Sequence, residues 1–263
     1  MRIHVSAARL PNAATRITVR EAPRPIGWVD YSPHIRQIRQ NTQRAVELVS
    51  GSRLVLSMAS RLSLSLCSAV LEPCQRLGSA TSVEATLRLV KELEAELVLC
   101  TDVLAEGSGP ELVQQLKAQV PGVRVLMIVT QPQHQAAIRR AIQAGCDGLC
   151  LEANVGQGLL LQALASTLCG GLFIDPSLRR SVLAHFPGAS QQPLAPLTAR
   201  ECEVLQLAAG GYANGEIARQ LYVGLETVKS HMRHVLQKLQ ANDRTHAAVL
   251  GIKLGFVDWP EPG

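Results

Sequence analysis

Residues 197–255 are LTARECEVLQLAAGGYANGEIARQLYVGLETVKSHMRHVLQKLQANDRTHAAVLGIKLG, a stretch whose local signals predict helices and no strands. Thr198 and Glu201 have the spacing of a capping box, in which each side chain satisfies a backbone N–H of the first turn. A first helix is therefore predicted to start here, and the glycine pair Gly210 and Gly211 ends it. Asn214 is predicted to cap a short second helix.

The second half of this stretch predicts two more helices. A turn at residues 223–225 precedes a third helix over 227–239, and Asp243 opens a fourth that ends at Gly255. Short helices with one pair joined by a tight turn form a small bundle of the helix-turn-helix kind. Residues 197–257 are therefore predicted to be an all-α domain.

The predicted third helix has two chemically different faces. Lys229 and Arg233 are spaced i, i+4, so they share one face, and Lys238 extends it. Thr227, at the start of the helix, can donate to a phosphate. The opposite face is apolar and consists of Val228, Met232, Val235, Leu236 and Leu239. One apolar and one cationic stripe suit a helix that lies in the major groove of double-stranded DNA.

Residues 197–255 also resemble the LuxR-type (NarL/FixJ-like) helix-turn-helix, through the spaced blocks LTARE, EVL, NGEIA, TVKSH, KL and DRTHA. The resemblance implies a scaffold helix at 214–221, a recognition helix at 227–239, and a sequence-specific transcription regulator. One departure is Gly224, where the family prefers a serine that caps the recognition helix. The predicted DNA-contact residues are Lys229, Arg233, Ser230, Thr227, Asn214, His231 and Lys238.

The predicted last helix carries more apolar residues than a small four-helix domain needs for its own core. The residues in question are Ala247, Val249, Leu250 and Leu254. In the LuxR-type family this helix commonly pairs subunits. We therefore predict a homodimer through this helix, bound to an inverted-repeat operator. RNA polymerase is a further candidate partner, and no membrane partner is expected.

Residues 51–175 alternate between short β-type runs and helical patterns, which predicts a doubly wound, five-stranded parallel sheet with helices on both faces. This α/β domain precedes the all-α domain and is flavodoxin-like. The predicted strands are 53–58, 77–80, 95–101, 123–130 and 148–151, and the predicted helices are 62–71, 83–94, 110–120, 133–144 and 155–168. Such folds place their sites at the carboxyl ends of the strands.

The same domain resembles a response-regulator receiver, through its strand rhythm and the segment AIQAGCDGLCLEAN. Phosphoryl transfer to a receiver requires acidic Mg²⁺ ligands, a phosphoacceptor aspartate and a lysine. The matching positions here are Met58 and Ala59, Thr101, and Glu152, so the chemistry is lost, whereas the switch hydroxyl survives as Thr130. The resemblance therefore implies a pseudo-receiver that serves dimerisation, or that senses a partner protein, a small molecule or a redox state.

Two alternatives stay open at this point. A one-residue slip in register would make Asp102 the phosphoacceptor of a functional response regulator, although side chains alternate along a strand and a neighbour normally points away. A protein adaptor whose helix-turn-helix no longer binds DNA is the second alternative. No catalytic motif, metal site or cofactor site is evident, so an enzyme is not expected.

The remaining segments are predicted from composition. Residues 1–32 are expected to be a disordered, Arg-rich arm, residues 33–50 an amphipathic helix, 176–196 a linker and 258–263 a tail. The net charge of +5 comes from residues 1–50, so it cannot by itself argue for DNA binding. The seven cysteines form no CxxC pair, which favours a reducing cytoplasm and buried thiols, Cys146 and Cys150 among them.

Overall fold

A computed structural model of the chain describes residues 34–74, 76–185 and 193–258. The predicted arm, 1–32, and nearly all of the predicted tail, 258–263, lie outside these residues. The first helix, α1, spans Ile35–Val49, close to the predicted 33–50. Its two buried residues are Asn41 and Val49, whereas Ile35 and Leu48 are exposed.

A six-stranded parallel sheet of order β2-β1-β3-β4-β5-β6 forms the first domain. The strands are β1 (Arg53–Ser57), β2 (Arg76–Ala80), β3 (Leu97–Thr101), β4 (Arg124–Val129), β5 (Gly148–Leu151) and β6 (Phe173–Ile174). The central strands are nearly continuous apolar runs, and they are buried because helices cover both faces of the sheet.

Two groups of helices cover the sheet. The chain between β1 and β6 contains α2 (Arg61–Val70), α3 (Val83–Glu92), α4 (Gly109–Gln119), α5 (Gln135–Gln143) and α6 (Leu159–Leu168). One apolar core joins α3, α4 and α5 to Val55 and Val98, and the other joins α1, α2 and α6 to Leu54 and Leu99. The alternation of side chains along β1 and β3 divides the two cores.

Three predictions about the end of this domain are wrong. The sheet has a sixth strand, β6, whose two residues are too few to give a sequence signal. The predicted helix 155–168 is broken at Gly158, which has φ +91°, into a 3₁₀ turn (Glu152–Gln157) and α6. The predicted linker 176–196 contains a helix, α7 (Pro176–His185), which buries Leu178 and Val182 against the domain.

The buried carboxylate of Asp175 organises this region. It accepts hydrogen bonds from the backbone N–H of Leu151 (3.0 Å) and Ser177 (2.9 Å) and from Nδ2 of Asn154 (3.1 Å). These bonds tie the end of β5 to the start of α7, so the chain after β6 stays on the domain instead of leaving as a linker.

The second domain contains four helices, as predicted. They are α8 (Ala199–Ala209), α9 (Asn214–Gln220), α10 (Leu225–Leu239) and α11 (Arg244–Lys253). The capping box forms, because Thr198 N donates to Glu201 Oε2 at 2.7 Å and Glu201 N donates to Thr198 Oγ1 at 3.3 Å.

The predicted cap of the second helix is wrong. The residue at the N-cap of α9 is Ala213, and Asn214 is the first residue of the helix. Glu216 provides the other half of a capping box, because its Oε2 accepts the backbone N–H of Ala213 at 2.8 Å. The side chain of Asn214 instead accepts a hydrogen bond from Nη1 of Arg244 at 3.1 Å.

The apolar residues of α11 do not form an open pairing face in this structure. Ala247, Val249 and Leu250 are buried and Leu254 is partly buried. The helix packs on α8 and α10 and also contacts α5 and α7 of the first domain. These residues are therefore not free to pair subunits in this structure, because the helix packs on its own domain and on the first domain.

The two domains meet closely beside α11. Asn242 Nδ2 donates to the carbonyl of Gln143 at 3.2 Å, and the backbone at Gly171 lies directly against Gly211. The side chain of Asp243, the N-cap of α11, accepts the backbone N–H of His246 at 2.9 Å. Burial, together with the nearby charge of Asp147, raises the pKa of Asp243 to about 6.

This raised pKa makes the stability of the chain depend on pH. The pKa of Asp243 in the folded chain, about 6, lies above the ordinary value of 3.8, so its ionisation destabilises the fold as the pH rises between these values. An asparagine at this position would keep the cap without the charge. We therefore expect Asp243→Asn to raise the free energy of unfolding by about 1–3 kcal/mol at neutral pH.

Urea unfolding at neutral pH and at about pH 4 measures this effect. The gain should shrink towards zero at the lower pH, where the wild-type carboxyl is protonated as well. Asp258→Asn, at an exposed position, is the matched control and should change stability little at either pH. An equal effect of Asp243→Asn at both pH values would contradict burial as its cause.

Candidate nucleic-acid interface and strand-end cavity

The helix α10 presents one buried and one open face. Val228, Met232, Val235 and Leu239 are buried in the domain. Lys229 and Arg233 are exposed on the outer face, as the sequence predicted. Lys229 pairs with Glu226 at 2.7 Å, and no ion pair joins Arg233 to a described residue. Exposed pairs are worth little, so a phosphate or a base edge can compete for Lys229.

The amino-terminal end of α10 is also open. Its N-cap, Gly224, has an extended backbone and no side chain that could accept a hydrogen bond from the first turn. The free N–H groups of a helix start favour anions, and phosphates in particular. Thr227 is exposed in this first turn, while Ser230 and His231 lie one turn further on.

A residue that the sequence reasoning missed lies just before this helix. Tyr222 adopts a left-handed backbone conformation, with φ +53°, in the turn between α9 and α10, and it is 96% exposed. Tyrosine hydroxyls are among the groups that bond DNA phosphates. The signal available in the sequence was an aromatic side chain, in a chain with 3% aromatics, at the turn of a predicted helix-turn-helix.

The structure separates two of the predicted contact residues from this surface. The ammonium of Lys238 pairs with the buried carboxylate of Glu201 at 2.7 Å and also donates to the carbonyl of Pro196 at 3.2 Å. Asn214 bonds to Arg244, whose burial lowers the pKa of its guanidinium to about 10. Both side chains therefore take part in bonds within the chain.

The five positions matched to receiver chemistry line one cavity at the carboxyl ends of the strands. This strand-end cavity has a volume of about 430 Å³. The matched residues in its wall are Met58, Ala59, Thr101, Thr130 and Glu152. Across the described residues, no group of three or more His, Cys, Asp or Glu side chains could hold a metal ion.

Asp102 does not line this cavity. It is 4% exposed, and its carboxylate accepts hydrogen bonds from Thr130 N (2.8 Å), Thr130 Oγ1 (2.6 Å) and Gln131 N (3.0 Å). The backbone at Gly109 packs against the end of β3, because a Cβ there would lie 2.4 Å from the carbonyl oxygen of Thr101. Thr101 therefore faces the cavity, while Asp102 connects the ends of β3 and β4.

The buried cysteines lack the lowered thiol pKa that is typical of redox sensors. Burial is the main cause that raises the pKa of both Cys146 and Cys150 to about 12. A thiol must ionise to react, so neither residue is activated. All seven cysteines are free, including the pair Cys146 and Cys150 that the sequence analysis expected to be buried thiols.

Comparisons with known proteins agree with a helix-turn-helix domain and with a receiver-like domain. Residues 195–250 match the family described as bacterial regulatory proteins, luxR family. The transcriptional regulatory protein DegU of Brevibacillus brevis is 29% identical over 191 residues, which cover 66% of this chain and 80% of DegU. The response regulator protein VraR of Staphylococcus aureus is 27% identical over 180 residues, covering 68% of this chain and 85% of VraR.

Solved structures with a similar fold include the response regulator RcsB of Salmonella typhimurium. It is 20% identical, with a TM-score of 0.45, and the match covers 76% of this chain and 97% of that one. A complex of RcsB with DNA gives a TM-score of 0.46 at 20% identity and covers 78% of this chain and 98% of that one.

The fold and the recognition helix define a DNA-binding transcriptional regulator with a receiver-like amino-terminal domain. More particularly, residues 195–250 match the LuxR-type helix-turn-helix, and the chain is similar to response-regulator transcription factors such as DegU. Within the described residues, no helix is long and apolar enough to cross a membrane.

Substitutions on α10 test the interface. Lys229→Ala and Arg233→Ala should each weaken specific binding by about 1–3 kcal/mol if the side chain contacts base edges. A residue that contacts only phosphate should instead reduce the salt slope by about one unit and leave sequence preference unchanged. Gel-shift titrations at several salt concentrations, on duplexes selected from random DNA, measure both effects.

Two controls separate contact from stability. Arg88→Ala removes a positive charge from α3 in the other domain and should leave DNA affinity unchanged. Lys238→Ala should lower the free energy of unfolding by about 1–3 kcal/mol, because it leaves the Glu201 carboxylate buried without its partner. Unchanged DNA affinity in both Lys229→Ala and Arg233→Ala would contradict the recognition helix assigned here.

Proposed function

We propose that this protein is a sequence-specific regulator whose DNA binding does not depend on phosphorylation of its receiver-like domain. The observation that carries the proposal is the chemistry of the strand-end cavity. Acyl-phosphate formation there would place about two negative charges beside Glu152, in a cavity whose matched residues offer no acidic ligands for Mg²⁺ in the places that a receiver needs them. The thioether of Met58 and the methyl group of Ala59 are poor ligands for this hard cation.

Asp102 is a poor phosphoacceptor for a second reason. Its oxygens already accept three hydrogen bonds, and attack on a phosphodonor would require the carboxylate to leave Thr130 and Gln131. Those bonds belong to a buried polar network, and breaking it leaves donors without partners. The rival function, a response regulator phosphorylated at Asp102, therefore needs both a metal site and a rearranged strand end.

The DNA contacts that we propose come from one surface of the second domain. Lys229, Arg233 and Ser230 would approach the major groove, and Thr227 and His231 would contact phosphates near the open start of α10. Tyr222 is added because it is exposed beside the same helix start. Lys238 and Asn214 are left out of this set, since their side chains are bonded within the chain.

We further propose that the active form is a homodimer on an inverted repeat. One recognition helix contacts only a few base pairs, and two-fold pairing doubles the site that is read. If α11 forms the pairing surface, the first domain has to move away from it, since α5 and α7 contact this helix here. The proposal places the protein in the cytoplasm, assigns it no enzymatic activity or cofactor, and keeps RNA polymerase as a candidate partner.

Incubation with acetyl phosphate and Mg²⁺ tests the loss of phosphotransfer. We expect intact-mass spectrometry to show no added mass of about 80 Da, because the charge and the ligands of the strand-end cavity oppose the product. A phosphorylatable response regulator in the same reaction provides the positive control. An adduct that appears in the wild type and is absent from Asp102→Asn would overturn the proposal and favour the phosphorylated alternative.

A further inference from the structure

A second cavity adjoins the strand-end cavity and lies under the helix α1. It has a volume of about 260 Å³ and is lined by α1, α2, α6 and one face of the sheet; it is partly open to solvent, since Leu66 and Val70 in its wall are exposed. Ile38, Ala45 and Val46 line it from α1, and Leu160 and Leu164 line it from α6. We refer to this space as the α1 cavity.

The chemistry of its walls is almost entirely apolar. No charged side chain of the described residues lines the α1 cavity. Its two polar wall residues are Asn41 and Thr42, and the amide of Asn41 already bonds to Gln37 Nε2 (3.0 Å) and to the carbonyl of Gly156 (3.3 Å). An ionic ligand would lose its hydration here without gaining a partner, so charged ligands are disfavoured.

The α1 cavity exposes part of its apolar wall to water. Leu66 is 61% exposed and Val70 is 46% exposed, so a molecule that covered them would remove apolar surface from solvent. A water molecule needs several polar partners, which these walls lack. An engineered apolar cavity of about 150 Å³ stays dry and binds benzene, so a space of 260 Å³ can hold a larger apolar molecule.

We propose that the α1 cavity binds one uncharged, mainly apolar small molecule of roughly ten to twelve non-hydrogen atoms. The apolar walls provide the binding free energy by removing ligand surface from water. Asn41, in the middle of α1, is the one buried polar side chain among the described wall residues that could orient a hydroxyl or carbonyl group of the ligand.

The α1 cavity shares part of its wall with the strand-end cavity. Met58, Cys67, Ile128 and Val155 line both the α1 cavity and the strand-end cavity. A ligand under α1 would therefore contact side chains that also line the place of the phosphorylation chemistry. The helix α1 forms one wall of the site and is fixed to the first domain partly by the bond from Asn41 to Gly156.

The test uses the full-length chain and two matched probes. 1-Naphthol is uncharged at neutral pH and of suitable size, and 1-naphthoate has the same ring system with a negative charge. Probe fluorescence during titration should show saturable binding of 1-naphthol at a single site and binding of 1-naphthoate that is at least about tenfold weaker. Thermal unfolding should shift to higher temperature with 1-naphthol, as binding to the native state requires.

Two alanine-to-leucine variants locate the site. Ala45→Leu places three carbon atoms into the α1 cavity and should weaken 1-naphthol binding by about tenfold or more. Ala69→Leu makes the same change at an exposed position on α2 outside the cavity and should bind the probe like the wild type. If Ala45→Leu fails to fold by circular dichroism, Val46→Phe, which adds four carbon atoms to the same cavity wall, is used with the same expectation.

Three results would overturn the proposal. They are a lack of saturable 1-naphthol binding to the wild type, equal affinity in the cavity-filling variant, or equal affinity for 1-naphthoate. The proposed ligand site does not depend on the proposed DNA-binding function. Probe titration tests the ligand site, and gel shift tests DNA binding. A chain that binds 1-naphthol but no duplex DNA would contradict the proposed function alone.

Discussion

The buried carboxylate of Asp102 fixes the geometry on which the account of the first domain depends. By accepting hydrogen bonds from Thr130 and Gln131, it joins the ends of the two central strands, β3 and β4. Because side chains alternate along a strand, this arrangement turns Thr101 towards the strand-end cavity. A carboxylate that could carry a phosphoryl group is thus used to hold the scaffold together.

The second domain depends instead on the burial of one face of α10. The helix α10 must bury Val228, Met232, Val235 and Leu239 to hold the bundle together, which leaves its cationic face to the solvent. The same packing explains why Lys238 points elsewhere: Glu201 is buried by its capping role in α8, and a buried carboxylate needs a partner. Of the two lysines of α10, Lys238 therefore stabilises the domain and Lys229 is left exposed.

Much of the fold could be predicted from the sequence because its signals are local. The apolar runs of β1, β3, β4 and β5 and the capping box at Thr198 depend on nearby residues only. The strand β6 could not be predicted, since two residues that pair with Gly148 and Leu149 carry no period. The helix α7 was missed because it is held by Asp175, whose partners include residues distant in the sequence.

The candidate DNA-binding surface could also be predicted only where its signals are local. Lys229 and Arg233 could be placed by helical spacing, and the structure exposes both. The bonds of Lys238 to Glu201 and of Asn214 to Arg244 span 37 and 30 residues, so no local pattern indicates them. The burial of α11 and the α1 cavity likewise arise from packing between elements that lie far apart in the chain.

The most direct test of the central claim is the DNA affinity of the purified, unphosphorylated full-length chain. A duplex selected from random DNA would be titrated with and without acetyl phosphate and Mg²⁺. The account predicts sequence-specific binding in the absence of a phosphodonor, with a Kd that changes less than about twofold when the donor is added. Specific binding that appears only after treatment with the phosphodonor would contradict it.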